Sequence, residues 1–151
     1  MVLRVVLRAQ GGEELAGPPG RDLLISETHT FGDLATAIDG AFARWDLSHL
    51  HEFRLVDGRR IGLIDPAGFE DDDDALDERS VTLQQVGLRP GEAFEYVFDF
   101  GDSWEHRCTV LRRDVDPMEE LGASPSKIVP IFGWGMIPDQ YGRTTADEDN
   151  E

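Results

Sequence analysis

The stretch FDFGDSWEHR, residues 98–107, sets Asp99, Asp102 and Glu105 with Trp104 and His106 around one glycine. A carboxylate beside an imidazole orients the ring and raises its pKa, which suits general acid/base work or the support of a metal-bound histidine. Gly101-Asp102 reads as a two-residue type II′ turn, a register in which Asp99 faces Trp104 and Val97 faces His106. Phe94, Tyr96, Phe98 and Phe100 then share the core face. Val97, Asp99, Trp104, His106 and Cys108 share the other, with Asp99 diagonal to His106. The plainer reading is a surface acid-histidine pair beneath a tryptophan, and a different turn would shift the register and dissolve the pairing.

A second cluster lies in SHLHEF, residues 48–53, where His49 and His51 fall on one face of a strand and Leu50 on the other. This H-x-H spacing lets two imidazoles reach one divalent ion. The chain has four histidines, His29, His49, His51 and His106. If the two segments meet, His49, His51 and His106 with Asp99 form a site for zinc or another transition ion; singly, each is a surface or satisfied core histidine. No G-x-S-x-G elbow, P-loop, Rossmann glycine pattern or H-E-x-x-H helix is present. Cys108, two residues from His106, sits mid-strand and reads as a structural thiol.

The elements that must position these residues follow from periodicity. VLRVVLRAQ alternates as a strand, GGEELAGPPGR breaks it, and DLLISE should pair back antiparallel. Thr30 and Asp33 have the form of a capping box, and Phe31, Leu34, Ala35, Ile38, Phe42 and Trp45 recur at helical spacing after it. HLHEFRLV and IGLID read as strands around the turn DGRR, giving ββαββ. Residues 65–79, with the DDDD run, hold too few apolar side chains to offset ordering and read as an acidic loop without an EF-hand pattern. Thr82 to Val86 reads as one helical turn ended by Gly87, and AFEYVFDF and SWEHRCTVLRR as the strands of the hairpin. Beyond Asp114 the period is lost: PIFGWGMIPDQYGR is apolar but broken by Gly and Pro, and residues 143–151 read as a disordered acidic tail on a single domain of residues 1–142.

Composition narrows the function classes. A net charge of -17 over 151 residues repels phosphate backbones and counts against a nucleic-acid partner. One cysteine leaves no internal disulfide and points to a reducing cytoplasm, and no apolar run approaches a membrane span.

WDLSHLHEFRL, the acidic loop and VTLQQVGLRPGEAFEYVFDFGDSWEH, in this order, resemble the plasmid pRiA4b ORF-3-like family, over residues 22 to 113. Members are often labelled TnpR-type insertion-element passenger proteins, and YxFDFGDxWxH is the family signature. The resemblance implies an α+β domain with a mixed, β-grasp-like sheet, and sets His49, His51, Phe53, Tyr96, Asp99, Gly101, Asp102, Trp104 and His106 at the motif positions. It carries no activity. A resolvase would need a nucleophilic serine, catalytic arginines and a helix-turn-helix, and this chain has none of that pattern. The family's cysteine-containing C-terminal segment is replaced here by PIFGWGMIPDQYGR.

Three functions fit these residues. One is a binding module for a protein or small-molecule ligand, on a face around Trp104, Trp134 and Tyr141 with Tyr96, Asp99, Asp102, His49, His51 and His106 in the site and the DDDD loop as an acidic rim. Another is a metal-dependent hydrolase with Asp99 and His106 as catalytic candidates and a divalent ion on His49, His51 and His106. The third is a hairpin lock with no ligand. The first is the expectation carried forward.

Overall fold

A computed structural model describes residues 1–47, 50–63, 75–115, 118 and 127–140. His49, Tyr141, the DDDD run and the tail lie outside the described residues. The described chain forms one mixed sheet and two helices in a single domain. Strands β1 (Val2–Gln10), β2 (Glu13–Glu14) and β3 (Gly20–Leu24) precede helix α1 (Phe31–Ala41). Strands β4 (His51–Arg54), β5 (Arg60–Gly62) and β6 (Ala75–Asp77), the short helix α2 (Leu83–Val86), and strands β7 (Ala93–Phe98), β8 (Trp104–Arg112) and β9 (Val129–Trp134) follow. The strand order is β6-β5-β4-β7-β8-β1-β3-β9, with β2 paired to β1. Every pairing is antiparallel except β5 with β6.

Local chemistry explains the elements read correctly. In β1 the side chains of Leu3, Val5 and Leu7 are fully buried while Arg4, Val6 and Arg8 face outward, and β3 pairs back as expected. Thr30 and Thr82 each close a capping box, with Asp33 and Gln85, satisfying two orphan donors at either helix start. Gly87 ends α2 at φ 70°, a left-handed position open to glycine at no steric cost. Helix α1 stops at Ala41, one turn short of the expected Trp45, because Ala43 turns to φ 55°. Its apolar stripe, Phe31, Leu34, Ala35 and Ile38, packs on the sheet face that carries Leu3, Val5, Phe53, Phe94, Tyr96 and Phe98.

Three strands were not expected, the first being the two-residue β2 within the segment read as a break. β6 lies inside the stretch read as an acidic loop, where Leu76 packs against the core and pairs beside Ile61. β9 lies in the Gly/Pro-broken segment and forms the sheet edge next to β3. Pro130 is tolerated there because an edge strand leaves one side of its backbone unpaired. Gly20 makes room for Trp134: a Cβ at residue 20 would stand 2.1 Å from the indole.

Candidate functional site

The hairpin register differs by one residue from the two-residue turn. Phe98 pairs with Trp104, Tyr96 with His106 and Phe94 with Cys108, so residues 99–103 form a five-residue tip. Asp99 and Ser103 take up left-handed conformations at φ 61° and 51°, and Gly101, which the type II′ turn would need there, is not among the positive-φ glycines. The one-residue slip carries Trp104, His106 and Cys108 from the outward face to the core face, beside Tyr96 and Phe98. It also removes the Asp99-His106 pairing. The Asp99 carboxylate instead accepts the amides of Gly101 at 3.1 Å and Asp102 at 3.3 Å, fastening the tip, and Phe100 is exposed rather than in the core.

The true register builds a grid. β4 pairs His51 with Phe98 and Phe53 with Tyr96, so one row runs His51, Phe98, Trp104 and the next Phe53, Tyr96, His106, all on the face under α1. The segment LHEF, residues 50–53, thus does adjoin the hairpin. His51 and His106 nevertheless flank Tyr96, whose ring lies 5.6 Å from one and 5.3 Å from the other, and so do not converge on a shared point.

Four polar side chains from outside the grid complete a buried network. Asp39 of α1 accepts the Tyr96 hydroxyl at 2.8 Å. Glu78, just after β6, pairs with His51 Nε2 at 2.7 Å. Arg44, just after α1, donates from Nη1 to the Phe42 carbonyl at 2.6 Å and from Nη2 to His106 Nε2 at 3.0 Å. Gln140 holds the adjoining segment, accepting the amides of Trp45 and Asp46 at 3.1 Å and donating to the Asp46 carbonyl at 2.8 Å. Asp39, Arg44, Glu78, His106 and Gln140 are all buried, a rare condition for charged groups without partners.

The partners of His106 fix its tautomer. Its Nδ1 lies 3.0 Å from the Tyr96 carbonyl, which can only accept, and its Nε2 faces a guanidinium, which can only donate. The proton is therefore on Nδ1 and the ring is neutral. Burial, seconded by the Arg44 charge, pulls its pKa down to about 3. Burial pushes the Asp39 carboxyl up to about 6, against the Tyr96 hydrogen bond and the charges of His51 and Arg44. His51 also loses by burial, but its bond to Glu78 and the charges of Glu78 and Asp39 outweigh that and raise it. Burial lifts the Cys108 thiol well above its ordinary range, so it is no nucleophile.

Among the described residues no three His, Cys, Asp or Glu side chains are grouped to hold a metal ion. At His106 the nitrogen a metal would use already accepts from a cation. Trp104 is 1% exposed, walled with Phe98 around the Arg44 guanidinium, whose carbon lies 4.9 Å and 5.5 Å from the two rings. Trp134 is half-buried on the opposite sheet face over Gly20 and Arg4. The tip residue Asp102 is half-buried and its carbonyl accepts the Gly11 amide at 2.7 Å.

The model of the family described as Plasmid pRiA4b ORF-3-like protein matches residues 14–126. The chain belongs to this family. It is 41% identical over 69 residues to the uncharacterized protein y4hQ of Sinorhizobium fredii (strain NBRC 101917 / NGR234), a match spanning 45% of this chain and 34% of that protein. The crystal structure of MM3350, a protein of unknown function from Methanosarcina mazei Go1, superposes with a TM-score of 0.58 at 24% identity, over 85% of this chain and 60% of that one. The pRiA4b ORF-3-like chain thus spans about a third of the first relative and under two thirds of the second, and the second likeness shows a shared fold.

Asp39, Arg44 and Glu78 were missed in the sequence of this pRiA4b ORF-3-like domain. Asp39 carried a signal: it falls four residues after Ala35 on the apolar face of α1, where a carboxylate requires a buried partner. Arg44 and Glu78 carried none, since both sit in segments whose course depends on tertiary contacts.

Proposed function

We propose that the domain is a docking module for a protein partner, which presents a basic, apolar segment to the end of the sheet that carries the hairpin tip. The observation behind this reading is a set of large apolar side chains left exposed at that end: Trp45 at 46%, Leu47 at 61%, Leu50 at 63% and Phe100 at 46%. The chain at Trp45 and Leu50 is held in place. The Leu50 carbonyl accepts the Asp99 amide at 2.8 Å, Gln140 clamps the backbone at Trp45 and Asp46, and the Trp45 indole donates to Asp139 at 3.3 Å. Apolar side chains fixed before binding lose little entropy on contact, which is how anchors work.

Charge selects the partner. Asp46, Asp102 and Asp139 belong to the same segments as these side chains, Arg44 is buried, and the chain carries -17 overall. Lys or Arg beside apolar anchors on the partner complements such a rim. The docking face therefore moves from Trp104, Trp134 and Tyr141 to Trp45, Leu50 and Phe100, with the buried network as its support. The hydrolase reading has less behind it, because His106 meets Arg44 and Asp99 meets turn amides.

Panning a random peptide library against the folded domain is expected to enrich peptides that combine Lys or Arg with large apolar residues. Their affinity should weaken with salt and fall about tenfold or more in Leu50→Asp and Trp45→Ala. Peptides bound equally well by both variants would overturn the reading. So would concentration-dependent dimers abolished by Leu50→Asp, which would assign the patch to a second copy of the chain.

A further inference from the structure

Two buried side-chain donors have no hydrogen-bond partner among the described residues, Arg44 Nε and Trp104 Nε1. The two side chains are in contact. The guanidinium carbon lies 4.9 Å from the Trp104 ring centroid, and the two residues are 7% and 1% exposed. An unmade hydrogen bond at a buried donor costs about 1–3 kcal/mol, so two side by side mark a position built for an acceptor.

The charge says which kind. Among the described residues Arg44 makes no ion pair: its two bonded acceptors, the Phe42 carbonyl and the neutral His106 ring, carry no charge. The carboxylate that acts on it electrostatically, Asp39, is bonded to Tyr96. Phe42, Phe98 and Trp104 present ring faces around the guanidinium, which stabilises the cation but leaves the charge formally unpaired. A water molecule would satisfy both donors and leave that charge as it is. An anion would do both.

Size and valence follow from the surroundings. Side chains this buried admit no more than a small ligand, and a divalent oxyanion would set two charges against one guanidinium with Asp39 behind it. The backbone is shaped around the same side chains, since the non-glycine residues at positive φ among the described residues, Ala43, Asp99 and Ser103, are those just before Arg44 and Trp104 and the one just after Phe98. Such conformations cost about 1–3 kcal/mol each and persist where the surroundings impose them.

We propose that Arg44 Nε and Trp104 Nε1 together bind one small monovalent anion, a halide or a carboxylate no larger than formate, inside the end of the sheet. This site lies beneath the docking surface and not on it. Its donors are buried, and it needs no protein partner.

The test follows the three indole N–H signals, Trp45, Trp104 and Trp134, in a nitrogen-proton correlation spectrum, each assigned by its Trp→Phe variant. Chloride, and separately formate, replaces gluconate at constant ionic strength. The expected result is a saturable shift of the Trp104 signal, with Trp45 and Trp134 nearly still as internal controls. The thermal midpoint should rise by about 3 °C with the same anion, and that rise should vanish in Trp104→Phe, which keeps the ring and removes the donor. Saturation by formate alone would assign the site to a carboxylate, and saturation by chloride to a halide-sized ion. A Trp104 signal that stays put, or drifts linearly like the other two, would overturn the proposal, and exchange of that N–H with a long-lived water would show a buried water only.

Discussion

Asp39→Asn tests the buried network where its energetics are largest. Asp39 is 7% exposed, and burial lifts its carboxyl from 3.8 to about 6. The unfolded chain releases this proton near pH 4, while the folded chain keeps it until about pH 6. Between those values the native state binds more protons, so the contribution of this group to stability is full below about pH 4 and is lost as pH rises to about 6. A shift of about two units at about 1.4 kcal/mol each makes the loss about 3 kcal/mol at pH 7. The attractions of His51 and Arg44 are already contained in that shift. Asparagine cannot ionise and still offers the Tyr96 hydroxyl an oxygen. The variant should therefore match the parent near pH 4 and exceed it by about 3 kcal/mol at pH 7, an unusual gain from removing a charge. Urea unfolding of both proteins from pH 4 to 7.5 measures the gap. A gap independent of pH, or a parent more stable at pH 7, would refute the assignment of a strained, buried carboxylate at this position.

Other expectations follow from the same geometry. The His106 ring should show the Nδ1–H tautomer in nitrogen NMR with no titration from pH 8 to 5; a midpoint near the ordinary 6.5 would contradict its bond to Arg44. Glu78→Gln should lower the His51 pKa, because the bond and charge of Glu78 raise it, and an unchanged imidazole titration would break that pair. Gly20→Ala places a methyl 2.1 Å from the Trp134 ring, so it should cost about 1–3 kcal/mol and expose the indole. An unaltered fluorescence maximum would mean that β9 does not rest on Gly20.

Residues whose neighbours in sequence are also their neighbours in space were legible. The Thr30 capping box, the Thr82 turn ended by Gly87, the alternation of Val2–Gln10 and its antiparallel return are all local statements, and all appear in the structure. The hairpin tip was not, because Asp99 and Ser103 adopt a backbone that glycine usually supplies, and nothing in the letters DFGDS reveals it. That single slip turned the faces of Trp104 and His106 and gave Asp99 the wrong partner. β6 and β9 were hidden for another reason: each is short or broken by Gly and Pro, and each is a strand only because β5 or β3 offers it a ladder. Of the candidate residues, Tyr96, Trp104, His106 and His51 do share one face, but Arg44, Asp39 and Glu78, which give that face its electrostatics, come from elsewhere in the chain.

The placement of β1 has a consequence for how the chain is made. β1 lies inside the sheet, with β3 on one side and β8 on the other, and Leu3 pairs with Val110. Its first partner emerges from the ribosome within seconds of it, but its second arrives more than a hundred residues later, after about 5–20 seconds of synthesis. Throughout that interval the nascent β1–β3 hairpin shows an open hydrogen-bonding edge and an apolar face, Leu3, Val5, Leu7 and Leu23, that the finished domain hides completely. Translation pauses placed before Trp104 should lengthen the exposure and raise the aggregated fraction, whereas pauses after Arg112 should leave it unchanged.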